Sequence, residues 1–168
     1  MADSSNGRFA NVAGALIPGT GARADGAGGA AMRIAELLAA LFEEVICVGG
    51  APSAGIAGRR AGDIEGPPGA LRDLGSALTA ATAERVLVVA ADAADVTLER
   101  LLALVAWPEA EVVVSGEGMA DPLSCALVRR EPALQAVRAE WAAERNDVRR
   151  WLDRLSTAWV GPDALPDA

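Results

Sequence analysis

The sequence contains no histidine, no lysine and no tyrosine, and it has only two cysteines, Cys47 and Cys125. Zinc sites are built from clustered histidines and cysteines, so a zinc site of this kind is excluded. Each cysteine lies in an apolar stretch, "EEVICVGG" or "PLSCALVRR", and we expect both to be buried strand residues rather than a disulfide or a metal pair. Aromatic residues make up only 4% of the chain, so alanine, valine and leucine must form most of the core.

The sequence also lacks a long apolar run and an excess of positive charge. No run approaches the roughly 18 apolar residues of a membrane span, and "MADSSNGRFA" lacks the basic start and hydrophobic core of a signal peptide. The net charge of −8, with arginine as the only positive side chain, argues against a nucleic-acid partner. We therefore expect a cytoplasmic protein with neither a membrane nor a nucleic acid as partner. A nucleotide would have to bind through backbone N–H groups, a few arginines and a divalent cation.

The length suits a single domain, residues 1–168, with frayed ends at 1–8 and 161–168. Strands are predicted at 9–17, 45–50, 86–90, 111–116 and 123–130, and in the segment that begins at 157. Helices are predicted at 30–44, after the Pro/Gly turn at 66–69, and at 98–106, 131–144 and 146–156. Residues 51–62 are a predicted loop, and Thr97 is the predicted N-cap of the helix at 98–106. This alternation is typical of an α/β fold whose mostly parallel sheet carries helices on both faces.

Ligands of such a sheet bind beyond the carboxyl ends of its strands, here residues 17–29, 49–58, 92–95 and 115–121. The first of these segments, "IPGTGARADGAGG", is rich in glycine. Glycines let backbone N–H groups approach an anion, and the following helix N-terminus adds its dipole. A flexible low-complexity turn has the same composition, so the loop alone leaves both interpretations open. It contains neither the Gly-Lys-Ser/Thr of a Walker A loop nor the strict dinucleotide fingerprint.

Two further segments place carboxylates near the same edge. Asp92 follows the apolar run "VLVVAA", where a carboxylate could hold Mg²⁺ against a triphosphate. Alternatively, Asp92 and Asp95 cap the next helix, which is a common use of aspartate. In "DIEGPPGALRDLGSAL", Asp63 precedes a tight Gly-Pro-Pro-Gly turn, although proline and glycine before a helix are also ordinary punctuation.

The order of these segments is more specific than any one of them. "ALIPGTGARADG", "GPPGAL", "VAADAADV" and "ADPLSCALVRR" follow one another along the chain. In this order they match the glycine-rich loop, the Gly-Pro-Leu-Gly-Gly turn, the strand ending in Cys-Asp-Met-Pro and the His-Pro strand of the MobA-like nucleotidyltransferases. The chain resembles this family, the molybdenum cofactor guanylyltransferases, over roughly residues 10–155.

The resemblance implies a Rossmann-like three-layer α/β/α sandwich of the nucleotide-diphospho-sugar transferase type. It implies attack by the terminal phosphate of molybdopterin on the α-phosphate of GTP, with Mg²⁺ as cofactor. Asp92 would be the catalytic, metal-holding aspartate, and Arg23 would be the conserved catalytic arginine of the loop. The residues that would bind the nucleotide are Pro18, Gly19, Thr20, Gly21, Arg23, Asp63, Gly66 and Gly69.

The chain departs from the family pattern at two places that bear on function. The family's loop carries a lysine that neutralises the triphosphate, and here only an arginine, Arg23 or Arg33, could replace it, with a different geometry. Asp121-Pro122 replaces His-Pro. Three hypotheses stay open: an active guanylyltransferase; a non-catalytic relative that binds a nucleotide, a pterin or a protein partner in molybdoenzyme maturation; and another α/β domain, such as a sugar-nucleotide or isoprenoid-type transferase.

Three of the four tryptophans, Trp141, Trp151 and Trp159, lie in the C-terminal part of the chain. Tryptophan is enriched at protein interfaces. A tryptophan on an amphipathic helix more often closes the core, so a partner surface is the less favoured of two interpretations.

Overall fold

The computed structural model describes residues 8–19, 27–49, 58–93, 95–107, 110–116 and 121–161. Its strands are β1 (Phe9–Ile17), β2 (Phe42–Cys47), β3 (Arg59–Arg60), β4 (Arg85–Ala90), β5 (Val112–Ser115), β6 (Cys125–Arg129) and β7 (Thr157–Val160). Its helices are α1 (Ala27–Leu41), α2 (Ala70–Ala80), α3 (Leu98–Ala106), α4 (Arg130–Ala142) and α5 (Val148–Leu152). No helix within these ranges is long and apolar enough to cross a bilayer. The predicted alternation of strands and helices is confirmed.

The described strands form one sheet in the order β3-β2-β1-β4-β6-β5-β7. β6 pairs antiparallel with β4 and with β5, whereas every other neighbouring pair in this order is parallel. The prediction of a mostly parallel sheet is therefore confirmed. The chain passes from β1 outward to β2 and β3 and then returns to place β4 on the other side of β1, so the direction of strand addition reverses between β1 and β4.

Helices cover both faces of the sheet, which gives the three predicted layers. On one face, Ala15 and Ile17 of β1 pack with apolar side chains from α2, α4 and α5. On the other face, Val12 and Leu16 pack with apolar side chains from α1 and α3. Successive side chains of a strand point to opposite faces, so β1 contributes to both cores at once.

Local signals in the sequence correctly predicted several details. The hydroxyl oxygen of Thr97 accepts a hydrogen bond from the Arg100 N–H at 3.3 Å, and α3 begins at the next residue, as expected for an N-cap. Cys47 and Cys125 are free and buried in β2 and β6, as predicted. Burial raises the pKa of the Cys125 thiol to about 12, so this thiol stays protonated at neutral pH.

The predicted helix over 30–44 is wrong at its end, because α1 ends at Leu41 and β2 begins at Phe42. The helical periodicity continues past this point, but Phe42 is buried and packs against Gly14 of β1. Glu44 lies opposite Ala13 in the parallel pairing of β1 with β2. The strand predicted at 45–50 therefore lies at 42–47. The predicted loop at 51–62 is also wrong in part, since it contains the two residues of β3.

The Glu44 carboxylate connects β2 to neighbouring parts of the sheet. It accepts hydrogen bonds from the backbone N–H groups of Thr82, at 3.0 Å, and Ala83, at 3.2 Å, and from the Arg59 guanidinium at 2.6 Å. These bonds join β2 and β3 to the turn that precedes β4. Glu43, Glu44, Arg59 and Thr82 line an open groove of about 730 Å³ at the edge where the parallel strands begin.

We predict that Glu44→Ala lowers the free energy of unfolding by about 1 to 2 kcal/mol, because it leaves the backbone N–H groups of Thr82 and Ala83, of which the Ala83 group is partly buried, without their acceptor. Urea unfolding measures this change. Glu43→Ala is the matched control, since Glu43 is exposed, and it should shift stability by no more than about 0.5 kcal/mol. Equal effects of the two variants would contradict a bridging role for Glu44.

Candidate functional site

The candidate site lies at the edge of the sheet where the parallel strands end. β1, β2, β4 and β5 all end at this edge, and the antiparallel β6 begins there. The Ala91 N–H donates to the Ile17 carbonyl at 2.8 Å, and the Ala90 N–H donates to the Ser124 carbonyl at 2.9 Å. These bonds extend the order of the sheet beyond the strands. Ligands of open α/β sheets bind where the direction of strand addition reverses, which here is between β1 and β4.

The register of β1 and β4 brings Gly19 and Asp92 together. Ile17 lies opposite Ala90, and counting two residues further along each segment leads to Gly19 and Asp92. A Cβ atom built on Gly19 would lie 1.9 Å from the Asp92 Cγ atom. The carboxylate therefore packs directly on the Gly19 backbone, in space that any side chain at position 19 would occupy. The structure thus joins two of the residues that the sequence predicted separately.

The same argument connects the ends of β1 and β2. Leu16 lies opposite Cys47, so Pro18 comes beside Gly49. Gly49 has φ +66°, and a Cβ atom there would lie 2.9 Å from Cγ of Pro18. A residue with a side chain would be strained at this φ and would also press on the proline ring.

Arg60 reaches this edge from the last position of β3. Its Nη2 atom donates to the Gly49 carbonyl oxygen at 3.0 Å, and the residue is exposed. The guanidinium therefore lies beside the contact between Pro18 and Gly49. Arg60 is not among the site residues predicted from the sequence, because it lies in the predicted loop at 51–62 and a two-residue strand has no periodicity to detect.

The Gly-Pro-Pro-Gly turn packs against the end of α4. A Cβ atom on Gly66 would lie 2.5 Å from Cη2 of Trp141, so the indole ring packs on the Gly66 backbone. The Trp141 indole N–H donates to Oδ1 of Asn146 at 3.4 Å, and Nδ2 of Asn146 donates to the Pro68 carbonyl at 3.2 Å. Gly69 also faces Asn146, whose Nδ2 atom would lie 3.2 Å from a Cβ there. The turn is thus a fixed part of the fold.

The three C-terminal tryptophans have different environments. Trp151 is fully buried and donates its indole N–H to the Ala133 carbonyl at 3.0 Å. Trp141 is partly buried against the turn, whereas Trp159 on β7 is 39% exposed. Core closure, the interpretation we favoured, is therefore confirmed for Trp151.

Asp63 is exposed and acts electrostatically on Asp73 in the first turn of α2. Burial raises the pKa of the Asp73 carboxyl; the positive charge of Arg72 opposes this shift and the negative charge of Asp63 adds to it. The aspartate that precedes the Gly-Pro turn thus lies close enough to α2 to influence a carboxyl there. This relation was not visible in the sequence.

Thr20, Gly21 and Arg23, which the sequence predicts to bind the nucleotide, lie outside the described residues. Two other residues that the sequence singled out can be placed. Nη1 of Arg33 in α1 donates to the Val96 carbonyl at 2.8 Å, so this side chain contacts the segment that follows β4. Asp121 lies just before β6, and its carbonyl accepts a hydrogen bond from the Ser124 N–H at 3.1 Å.

The donor chemistry of the site fits a magnesium ion that is shared with a substrate. Within the described residues there is no group of three or more carboxylate, cysteine or histidine side chains that could enclose a metal. Mg²⁺ does not need such a cage, since it commonly binds to one or two carboxylates and completes its coordination with water and substrate phosphates. The Asp92 carboxylate at the end of β4 is a donor of the right type.

No protein family's sequence model matches the chain, and no curated protein matches it. Among solved structures, a protein from Aquifex aeolicus VF5 has a TM-score of 0.75 at 15% identity, over 95% of this chain and 93% of its own. Molybdopterin-guanine dinucleotide biosynthesis protein A from Archaeoglobus fulgidus has a TM-score of 0.66 at 15% identity, over 88% and 82%. The 4-diphosphocytidyl-2C-methyl-D-erythritol synthase of Anaerococcus prevotii has a TM-score of 0.63 at 13% identity, over 96% and 93%.

At these identities the similarity shows the fold. The chain has the α/β fold of the nucleotide-diphospho-sugar transferases, and several of the structures that share it are nucleotidyltransferase-type enzymes. The predicted fold class is therefore confirmed.

We predict that Gly66→Ala lowers the free energy of unfolding by about 1 to 3 kcal/mol, because the new methyl group displaces the Trp141 ring. Urea unfolding gives the stability, and tryptophan emission should shift to longer wavelength as the indole becomes more exposed. Gly62→Ala is the control, since nothing lies within 4 Å of a Cβ atom there. An unchanged emission spectrum in Gly66→Ala would contradict the packing of Trp141 on the turn.

We also predict that Asp73→Asn stabilises the protein at neutral pH. The pKa of Asp73 is raised on folding, so the folded state holds the proton more tightly and wild-type stability falls as pH rises above the ordinary value of 3.8. The asparagine variant lacks this loss. In urea unfolding, Asp73→Asn should therefore have a higher free energy of unfolding than wild type at about pH 7 and the same value at about pH 3.

Glu65→Gln removes a carboxylate from the exposed segment that leads into α2 and serves as the matched control for Asp73→Asn. It should change stability by no more than about 0.5 kcal/mol at either pH. A gain in Asp73→Asn that is the same at both pH values would contradict the assigned cause.

Proposed function

We propose that this chain, acting as a single domain over residues 1–168, is a magnesium-dependent nucleotidyltransferase that transfers GMP from GTP to molybdopterin. The observation that carries the proposal is the packing of the Asp92 carboxylate on the Gly19 backbone, where the direction of strand addition reverses. One of the proteins that share this fold is named for molybdopterin-guanine dinucleotide biosynthesis, which supports this choice of substrates.

Asp92 is the residue that would hold the metal. Mg²⁺ bound there would neutralise charge on the triphosphate and act as a Lewis acid on its phosphoryl oxygens. Because Gly19 has no side chain, the Asp92 carboxylate can lie against the loop backbone, and a phosphate bound to N–H groups of that loop would be close to the metal. This arrangement accounts for a glycine directly beside the aspartate.

The remaining proposed roles follow the order of the segments. Pro18, Gly19, Thr20 and Gly21 would present the loop backbone to the phosphates, with Arg23 as the catalytic cation of the loop. Asp63, Gly66 and Gly69 would form the wall of the nucleotide pocket. The fixed Gly-Pro-Pro-Gly turn supports this last role, because a rigid backbone can bind a nucleotide without an ordering cost.

The proposed reaction is a single displacement at phosphorus. An oxygen of the terminal phosphate of molybdopterin forms a bond to the α-phosphorus of GTP. The bond from that phosphorus to the oxygen bridging to the β-phosphate breaks, and pyrophosphate leaves with the electron pair. The protein contributes position and charge, which is the main catalytic requirement of phosphoryl transfer.

We predict that wild-type protein binds GTP in the presence of Mg²⁺ and that Asp92→Asn weakens this binding about tenfold or more, because the metal loses an anionic ligand. Isothermal titration with and without Mg²⁺ measures the effect. Gly19→Ala should have the same consequence through displacement of the carboxylate, while the protein remains folded. Two variants that act on one carboxylate by different routes separate its role from a general loss of structure.

Asp95→Asn makes the same chemical change in an exposed residue of the same segment and should leave binding unchanged. Titration with CTP in parallel tests the choice of base. Release of pyrophosphate on addition of molybdopterin tests turnover. Binding of GTP without turnover would instead support a non-catalytic protein in molybdoenzyme maturation, and absence of any nucleotide binding would overturn the proposed function.

A further inference from the structure

The side chains of the two arginines of β3, Arg59 and Arg60, make contacts at opposite edges of the sheet. The Arg59 guanidinium contacts the Glu44 carboxylate at 2.6 Å, beside the turn that precedes β4. The Arg60 guanidinium contacts the Gly49 carbonyl, beyond the end of β2. Successive residues of a strand point their side chains to opposite faces of the sheet, so the two guanidinium groups leave β3 on different sides and contact different partners. Arg59 takes part in the bonds that join β2 and β3 to the turn before β4, whereas Arg60 carries its charge to the edge of the candidate site.

A continuous row of contacts links Arg60 to Asp92. Arg60 donates to Gly49, Gly49 packs on Pro18, and the next residue, Gly19, packs on Asp92. These contacts cross the ends of β3, β2, β1 and β4, which are consecutive in the sheet. The row therefore has a cation at one end, a carboxylate at the other and glycine backbone between them.

This arrangement suits an extended polyanion. The Arg60 guanidinium lies at the end of β2, two strand spacings or about 10 Å from the end of β4. A guanidinium has five N–H donors, and the bond to Gly49 uses one of them. Its planar fork matches the oxygens of a phosphate group, and the chain has no lysine that could supply this charge.

We propose that Arg60 binds the terminal phosphates of the nucleoside triphosphate, an inference that rests on the proposed function. The α-phosphate reacts where Asp92 holds the metal, so the cation two strands away meets the phosphates that leave as pyrophosphate. Arg60 thus supplies, from β3, the positive charge that MobA-like proteins place in the first loop. The hydrogen bond to Gly49 orients the guanidinium before the substrate arrives.

The test compares three ligands, each with Mg²⁺: GTP, inorganic tripolyphosphate and GMP. Arg60→Ala should weaken binding of GTP and tripolyphosphate about tenfold or more, as expected for loss of a charge-assisted contact. Binding of GMP, which lacks the terminal phosphates, should stay unchanged. Arg60→Lys should restore part of the affinity, because it keeps the charge without the fork.

Arg59→Ala is the matched control, since it removes the same charge from the adjacent residue of the same strand. It should leave all three affinities unchanged when measured on folded protein. Equal affinities of wild type and Arg60→Ala for GTP would overturn the inference while the proposed function stands. An equal loss for GMP and GTP would also overturn it, because the contact would then be to the nucleoside or the α-phosphate. If wild-type protein binds neither GTP nor tripolyphosphate, the proposed function and the inference both fall.

Discussion

The parallel pairing of β1 with its two neighbours is the constraint on which the candidate site depends. Its register places Ile17 opposite Ala90 and Leu16 opposite Cys47. Backbone hydrogen bonds set these alignments, and a slip of one residue would move every β1 side chain to the wrong core. Because both cores require this register, the positions of Gly19 beside Asp92 and of Pro18 beside Gly49 follow from the packing of the whole domain.

Missing side chains matter as much as the side chains that are present. Gly14 leaves room for Phe42 on the α1 face of β1, where a Cβ atom would lie 2.9 Å from the ring. Gly19 leaves room for the Asp92 carboxylate, and Gly66 leaves room for the Trp141 ring. Glycine therefore has two uses in this chain. It permits dense packing in the sheet, and at the edge it lets functional groups approach the backbone closely.

Charged side chains have different uses at the two edges of the sheet. At the edge where the parallel strands begin, the Glu44 carboxylate is paired with Arg59 and with backbone N–H groups, so its bonds are internal to the fold. At the opposite edge, Arg60 and Asp92 stand at the two ends of a row of glycine contacts. In a protein with a net charge of −8, a positive group at this position gives the proposed polyanion site a local field that the overall charge does not provide.

The sequence by itself determined the kinds of elements and their order, because runs such as "VLVVA" and caps such as Thr97 act through local backbone preferences and burial. It also placed the glycine-rich loop and Asp92 directly after two different strands, β1 and β4. Only the tertiary structure decided that Phe42 and Glu44 leave the helix, that Arg60 belongs to a strand, and that Trp141 covers Gly66. The partners of these residues are distant in the chain, so their conformations depend on contacts that no local pattern encodes.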